Sequence, residues 1–422
     1  MHQSRFRKAA LASVALAGAV ALAACSTPSP EATEEPEFVE QLTVWAFSSQ
    51  VAAQVKEEFP KAYPDYTLDL VEIPLADLSQ RLVVALQGGD EVPDVVQLPL
   101  RESGGLFATG QFMDLTAELE PMADDFPEGI ILGANGEINS FTMGPGNMGL
   151  WVNAAGLAKH GLEIPADPTW DEVADVARDL KAASGGTQYL FMQPPGANGA
   201  NMFNAFYHSR GGNWWNDEGE LAADEDLAVE TLEWLVELDQ EGLVYHGVWT
   251  EPTYWDAIRT EQVLGWTMNY GVGSTNLQKN VPEQSGQWQL ITWPKWSANA
   301  EQLTGNFGGS LFAGLENAAN QQGARDFIMW WLSDEGLAVQ QEAFGLVPNE
   351  RAAEVLDLDV EDPYFGGQTV AKDLGSVPYP AFNYFNWPAT ESALTVAVDQ
   401  AYSGALTPAE AIRAAIEELE AL

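Results

Sequence analysis

Gln41-Leu42-Thr43-Val44-Trp45-Ala46-Phe47 is a run of β-branched and aromatic residues with the composition of a strand. Beyond it Val51, Val55 and Phe59 recur at helical spacing until Pro60 and Pro64 interrupt the pattern. Thr67–Ile73 reads as a second strand, and Leu75, Leu78, Leu82 and Leu86 mark a helix closed by Gly88-Gly89. Pro93-Asp94-Val95-Val96-Gln97-Leu98 follows as a third strand. A β-α-β-α-β succession predicts a largely parallel sheet covered by helices, an α/β fold.

A second unit has the same character. Gly149–Asn153 begins it with a strand, and Thr169-Trp170-Asp171-Glu172 has the spacing of a capping box. There the Thr hydroxyl and the Glu carboxylate satisfy free amides at a helix start. That helix turns Val173, Val176, Ala177 and Leu180 inward and stops at Gly185-Gly186. Later helices are marked by Leu227, Thr231, Trp234 and Leu238, by Ala324, Phe327, Ile328 and Trp331, and by Ile412, Ile416 and Leu419. Met143–Gly146 and Pro194–Gly199, rich in Gly and Pro, read as crossings or loops at a cleft. No short internal repeat appears.

The chain begins with a basic tip (Arg5, Arg7, Lys8) and an apolar run from Ala9 to Ala24. This is the pattern of an export signal rather than a membrane span. It ends in Leu22-Ala23-Ala24-Cys25, which holds the only cysteine. That tetrapeptide resembles the bacterial lipobox, which implies cleavage before Cys25, lipidation of its thiol and a lipid anchor facing the extracellular side of the cell membrane. An ordinary signal peptide that happens to contain a cysteine is the alternative. The expected organisation is a lipoprotein signal peptide at 1–24, and a lipidated Cys25 with a disordered tether at 25–37. The roughly 400 residues beyond suffice for two domains.

Charge narrows the function. The 18 Lys and Arg face 62 Asp and Glu, a net charge of −44, and losing the three cations of the signal makes it −47. Such a surface repels polyphosphates, so nucleic acid is excluded as a partner. The four histidines (His2, His160, His208, His246) show no zinc-ligand spacing, and neither a Gly-x-Ser-x-Gly elbow nor a phosphate loop is present. Neither metal nor cofactor is expected.

Taken together, these stretches resemble the extracellular solute-binding proteins of bacterial ABC importers, in particular the carbohydrate-binding group that includes maltose-binding protein. Leu42–Phe47 is similar to that family's first strand. Pro93-Asp94-Val95-Val96 with Gly104-Gly105-Leu106-Phe107 and Asp114-Leu115 is similar to its third strand and next helix. Phe141-Thr142-Met143 through Leu150-Trp151-Val152-Asn153, then Pro168–Glu172, resembles its crossing into the second lobe. Gly308-Gly309-Ser310, Ala324-Arg325-Asp326-Phe327 and Leu406-Thr407-Pro408-Ala409-Glu410-Ala411 resemble its return and final helix. The resemblance implies a periplasmic-binding-protein-like fold, two α/β lobes joined by a hinge with the ligand cleft between them. Lobe 1 would be discontinuous over 38–143 and 300–345, and lobe 2 over 146–296 and 348–422. It also implies a monomer, a carbohydrate ligand and the permease subunits of an ABC importer as partners.

A sugar site needs flat aromatic surfaces beside amide, carboxylate and guanidinium groups. Position in the family singles out Phe47, Ser48 and Ser49 after the first strand and Arg101-Glu102 before Gly104-Gly105, while Trp45 is drawn from the aromatic and polar mixture Trp45-Ala46-Phe47-Ser48-Ser49-Gln50. It also singles out Asn147 in the crossing, Asn269 and Tyr270 at a strand-to-loop turn, Gly308 and Gly309 for close backbone approach, and Trp387 as a stacking ring. Asn201, Trp255 and Trp214 are further platforms or hydrogen-bonding groups. Pro194-Pro195-Gly196-Ala197-Asn198 replaces the family's acidic and aromatic cluster, so a maltodextrin is not implied. The rival functions are a secreted glycoside hydrolase using two of the many carboxylates, and the same fold binding a quaternary ammonium osmolyte through an aromatic box. An adhesion or scaffolding role, with no small ligand, ranks below both.

Overall fold

The β-branched opening run forms strand β1 (Gln41–Ala46), and its alternation feeds two cores. Leu42, Val44 and Ala46 pack into one hydrophobic cluster while Trp45 packs into the other. In this computed structural model the described residues are 39–422, apart from 89–91, 108, 126–129, 134, 143–145, 217–218, 345–355 and 379–384. The expected signal, Cys25 and the tether therefore lie outside the described residues, as do most of the Met143–Gly146 crossing and Tyr384.

β1 pairs in parallel with β2 (Thr67–Glu72) and β3 (Val95–Pro99), as the sequence predicts. A fourth strand, β11 (Ser310–Gly314), completes this sheet antiparallel to β3 and comes from far along the chain, so its order is β11-β3-β1-β2. Buried Asp94 ties the sheet together by accepting the amides of Thr43 at 2.8 Å and Asn320 at 2.7 Å. The helix after β1, Ser49–Ala62, runs two residues past Pro60 instead of stopping there. A proline in the last turn removes one intrahelical bond, and the chain still closes with the Tyr63 amide on the Phe59 carbonyl at 2.9 Å.

The hairpin β4 (Ile130–Leu132) and β5 (Ile138–Phe141) leads to β6 (Met148–Asn153), the centre of a second sheet. The short pair β7 (Phe191–Gln193) and β8 (Val244–His246) is parallel. The second sheet is completed by β9 (Gly265–Asn269) and β10 (Trp288–Thr292), both antiparallel to β6. The expectation of a second parallel unit is thus corrected. Both neighbours of β6 are antiparallel to it, and parallel pairing in this half is left to β7 and β8, joined through the helices Ala197–His208 and Glu225–Gln240, and to the Tyr189–Val263 bridge. β11 (Ser310–Gly314) then returns the chain to the first sheet. The capping box at Thr169 forms as expected, with Thr169 N–H on Glu172 at 2.8 Å, and the helix ends on Gly185 at φ +67°. The Pro194–Gly199 loop is shorter than expected, since Ala197–His208 is helical from Ala197 onward.

Two α/β lobes result, each built on one sheet, within one compact unit spanning Val39–Leu422. Tryptophan dominates the second core, where Trp170 meets Phe206 and Trp293 at 4.9 Å each. Among the described residues no helix is long and apolar enough to cross a membrane.

The segments between β5 and β6 and between β10 and β11 connect the sheets, and they are fastened to each other. Asn147 and Asn306 form an isolated antiparallel bridge, and Phe307 N–H donates to the Gly146 carbonyl at 3.0 Å. The Thr304 hydroxyl donates to the Met148 carbonyl at 2.7 Å. Gly146 sits at φ +37°, and a Cβ there would fall 2.9 Å from the carbonyl carbon of Gly308. Neither backbone can retreat without breaking the bridge. Gly146→Ala is therefore expected to destabilise the protein by about 1–3 kcal/mol, read as a lower calorimetric melting temperature. An unchanged melting temperature would show that the crossings are not held in this contact.

Candidate functional site

The returning crossing carries Phe307, and groups from both lobes converge on its ring. The Arg101 guanidinium lies 5.1 Å from the ring centroid, and Trp249 stands edge-on to it at 5.8 Å with an interplanar angle of 77°. Arg101 enters from the helix Leu100–Phe107, just beyond the carboxyl end of β3. The helix start is fixed to the crossing by Leu100 N–H on the Gly309 carbonyl at 3.0 Å. Nη1 of Arg101 is buried and meets no acceptor among the described residues. Gly308 at φ +119° and Gly309 at φ +94° turn the backbone from Phe307 into β11, a path open to residues without a Cβ.

Asn269 ends β9 and caps the helix Tyr270–Asn280, its Oδ1 accepting Val272 N–H at 2.9 Å. Its Nδ2 donates a short hydrogen bond to the Phe307 carbonyl. Tyr270 N–H donates to the Asn147 carbonyl at 3.2 Å. Arg101, Asn147, Asn269, Tyr270, Gly308 and Gly309 are thus brought to one place around the buried Phe307 ring, with partly exposed Trp249 as its aromatic surface. Neither Phe307 nor Trp249 is anticipated from sequence. Trp249 lies in Val248-Trp249-Thr250, without the flanking amides used there as a signal.

The other candidates fall elsewhere or serve the scaffold. The Phe47 and Ser48 amides both donate to Oε1 of buried Gln97 at 3.2 Å, and Gln97 Nε2 donates to Ser310 at 3.3 Å. The Ser48 hydroxyl caps the next helix, while half-buried Phe47 and exposed Ser49 stand at the carboxyl edge of the first sheet. Trp45 is 2% exposed, with Arg81 at 4.7 Å from its ring, so its face is covered rather than offered. Trp255 is buried, and its Nε1–H holds the Trp249 carbonyl at 2.6 Å; it braces the aromatic surface instead of forming it. Trp214 is buried and donates to Asn204 at 2.8 Å. Asn147 sends its Nδ2 to the Val377 carbonyl at 3.1 Å. Asn201 is bonded to Glu391 at 2.6 Å. Trp387, the first residue of the helix Trp387–Tyr402, is 1% exposed and belongs to the second core, so it presents no face for stacking in this structure. The Glu102 side chain lies outside the described residues.

A surface cavity of about 770 Å³ lies away from this convergence, lined by Tyr63, Met122, Trp330 and Glu335 among others. It joins the ends of the helices Ser49–Ala62 and Gln321–Trp331 and shares no residue with the site around Phe307. Converging side chains mark the candidate site. Among the described residues no three His, Cys, Asp or Glu groups gather as metal ligands.

Two α/β lobes, joined by fastened crossings and contributing jointly to one aromatic and polar site, define a two-lobed solute-binding protein. The chain belongs to the bacterial extracellular solute-binding protein family, whose pattern matches residues 47–338. It is similar to a lactose-binding protein of Rhizobium radiobacter, 26% identical over 407 residues, covering 91% of this chain and 90% of that one. It superposes on the galacto-N-biose/lacto-N-biose I-binding protein of Bifidobacterium longum, solved with lacto-N-biose, at a TM-score of 0.76. That pair shares 21% identity and covers 92% and 98% of the two chains. An ABC transporter-associated binding protein of B. animalis subsp. lactis Bl-04, solved with β-1,6-galactobiose, gives 0.73 at 18% identity, covering 90% and 97%. At these identities the two structures speak for the fold.

Burial pushes the Tyr270 phenol up to about 12, with the charge of Asp362 adding to the rise and a hydrogen bond with Ser274 opposing it. Burial likewise raises Tyr207 to about 12. Both stay neutral hydrogen-bonding groups at physiological pH. Their folded-state values lie above the unfolded value near 10, so their stabilisation is complete below about pH 10 and is lost as pH climbs towards 12. The urea midpoint is expected to fall between pH 9 and pH 11; a midpoint that rose or stayed level would contradict this burial.

Proposed function

We propose that this protein is the sugar receptor of an ABC importer, capturing a short galactose-containing saccharide between its lobes and passing it unchanged to a membrane permease. The observation that carries the reading is the meeting of Arg101, Phe307 and Trp249 at one place, with groups from both lobes and from the crossing. Pyranose C–H faces pack on aromatic rings, and hydroxyls bond a guanidinium, an amide and a neutral phenol. A ligand that touches both lobes favours the closed form by its differential contacts, and closure is a signal a permease reads.

The galactose component is supported by the lactose, lacto-N-biose and β-1,6-galactobiose named for the relatives. In this reading the lobes are 38–143 with 300–345 and 146–296 with 348–422, and the protein acts as a monomer. The Leu22–Cys25 tetrapeptide supports export and attachment of the mature chain to the outer face of the cell membrane through lipid on Cys25. Membership in a family of binding proteins supports a role without catalysis.

Thermal-shift measurements with lactose, β-1,6-galactobiose, lacto-N-biose, maltose and glycine betaine test the proposal. A galactoside is expected to raise the melting temperature most, since a ligand at a hundredfold its Kd stabilises by about 2.7 kcal/mol. A response to betaine alone would overturn the reading, as would release of monosaccharides on prolonged incubation. Trp249→Ala is expected to weaken galactoside binding about tenfold or more, measured by calorimetric titration; unchanged affinity would remove Trp249 from the site.

A further inference from the structure

Among the described residues, Arg101 is the one Lys, Arg, Asp or Glu with a buried polar atom that meets no hydrogen-bond partner. Its isolation is unusual for this chain. Lys56, Lys61, Lys159, Arg178 and Arg210 all pair with carboxylates, as do Arg259, Lys295, Arg325, Lys372 and Arg413. With 62 Asp and Glu against 18 Lys and Arg, an acid is available to nearly any cation. Arg101 instead lies against the Phe307 ring with no carboxylate in contact among the described residues.

A buried donor left without an acceptor is destabilising, and more so when it is charged. The arrangement is stable in the bound state if the ligand supplies the acceptor. We propose that this acceptor is a carboxylate: the captured saccharide carries a hexuronic acid beside its galactose, and Arg101 selects it. This rests on the saccharide reading above. A sugar hydroxyl would satisfy the hydrogen bond alone, whereas a carboxylate satisfies the bond and the charge, and its two oxygens match the planar fork of a guanidinium. The guanidinium carbon lies over the Phe307 ring at 5.1 Å from its centroid, so the ring holds the group in place without supplying a hydrogen-bond acceptor at Nη1. The acidic surface does not forbid an anionic ligand, because charges beyond a Debye length of about 8 Å are largely screened at physiological salt.

The test is calorimetric titration of the full chain with three disaccharides: β-1,6-galactobiose, the same molecule with its non-reducing C6 hydroxymethyl oxidised to a carboxylate, and the methyl ester of that acid. The acid is expected to bind at least tenfold more tightly than either neutral form, equivalent to about 1.4 kcal/mol. In Arg101→Gln the ratio should collapse to within about threefold, and Arg101→Lys should keep only part of it. An acid no tighter than its parent and ester overturns the inference while leaving the carbohydrate reading in place; this comparison needs no variant to fold. A preference that survives Arg101→Gln overturns the assignment to Arg101. Failure of all three, together with lactose and lacto-N-biose, sinks the carbohydrate reading and this inference with it.

Discussion

The backbone of Gly146 rests against that of Phe307 and Gly308 with no space for a side chain between them. Much of the functional geometry follows from that contact. It fastens the outgoing and returning crossings into one ribbon, with the Asn147–Asn306 bridge and the Thr304 hydroxyl on Met148 as its rungs. Because the ribbon is fixed, Phe307 is fixed, and Asn269 reaches across from the second sheet to hold its carbonyl. Arg101 from one lobe and Trp249 from the other then find the same ring. Closure of the lobes would have to be absorbed by a few backbone torsions near this ribbon, where Gly308 and Gly309 already occupy positive φ.

The two halves of the molecule divide their physical tasks. Stability comes chiefly from burial, with eight tryptophans fully enclosed and several stacked edge to face around Trp170. The ion pairs contribute less, since partners such as Arg178 and Glu241 remain half exposed and are screened by water and salt. Acidity therefore belongs to the surface and its solubility, while the site draws on Arg101, whose buried Nη1 meets no partner among the described residues.

Local signals in the sequence are good guides to local structure. The β1 run, the leucine spacing of Leu75–Leu86 and the Thr169 capping box all appear where the residues place them. Each depends on neighbours within one or two turns. What depends on distant partners is legible only in part. The antiparallel second sheet is set by pairing across more than a hundred residues, which no window of spacing contains. The site shows the same division. Asn269, Tyr270, Gly308 and Arg101 are singled out by family position and meet in the structure, but an aromatic residue does not declare in sequence whether its face will be covered. Trp45 and Trp387 resemble platforms and are buried, one beneath Arg81. Trp249, with no distinguishing neighbours, is left partly exposed, held by Trp255 and Phe307.

The most direct measurement is a crystal structure of the protein grown with β-1,6-galactobiose. The account predicts a pyranose ring packed on Trp249 beside Phe307, with one of its oxygens on Nη1 of Arg101 and the Gly146–Gly308 contact preserved. A disaccharide bound elsewhere, with Phe307 and Arg101 untouched, would contradict it.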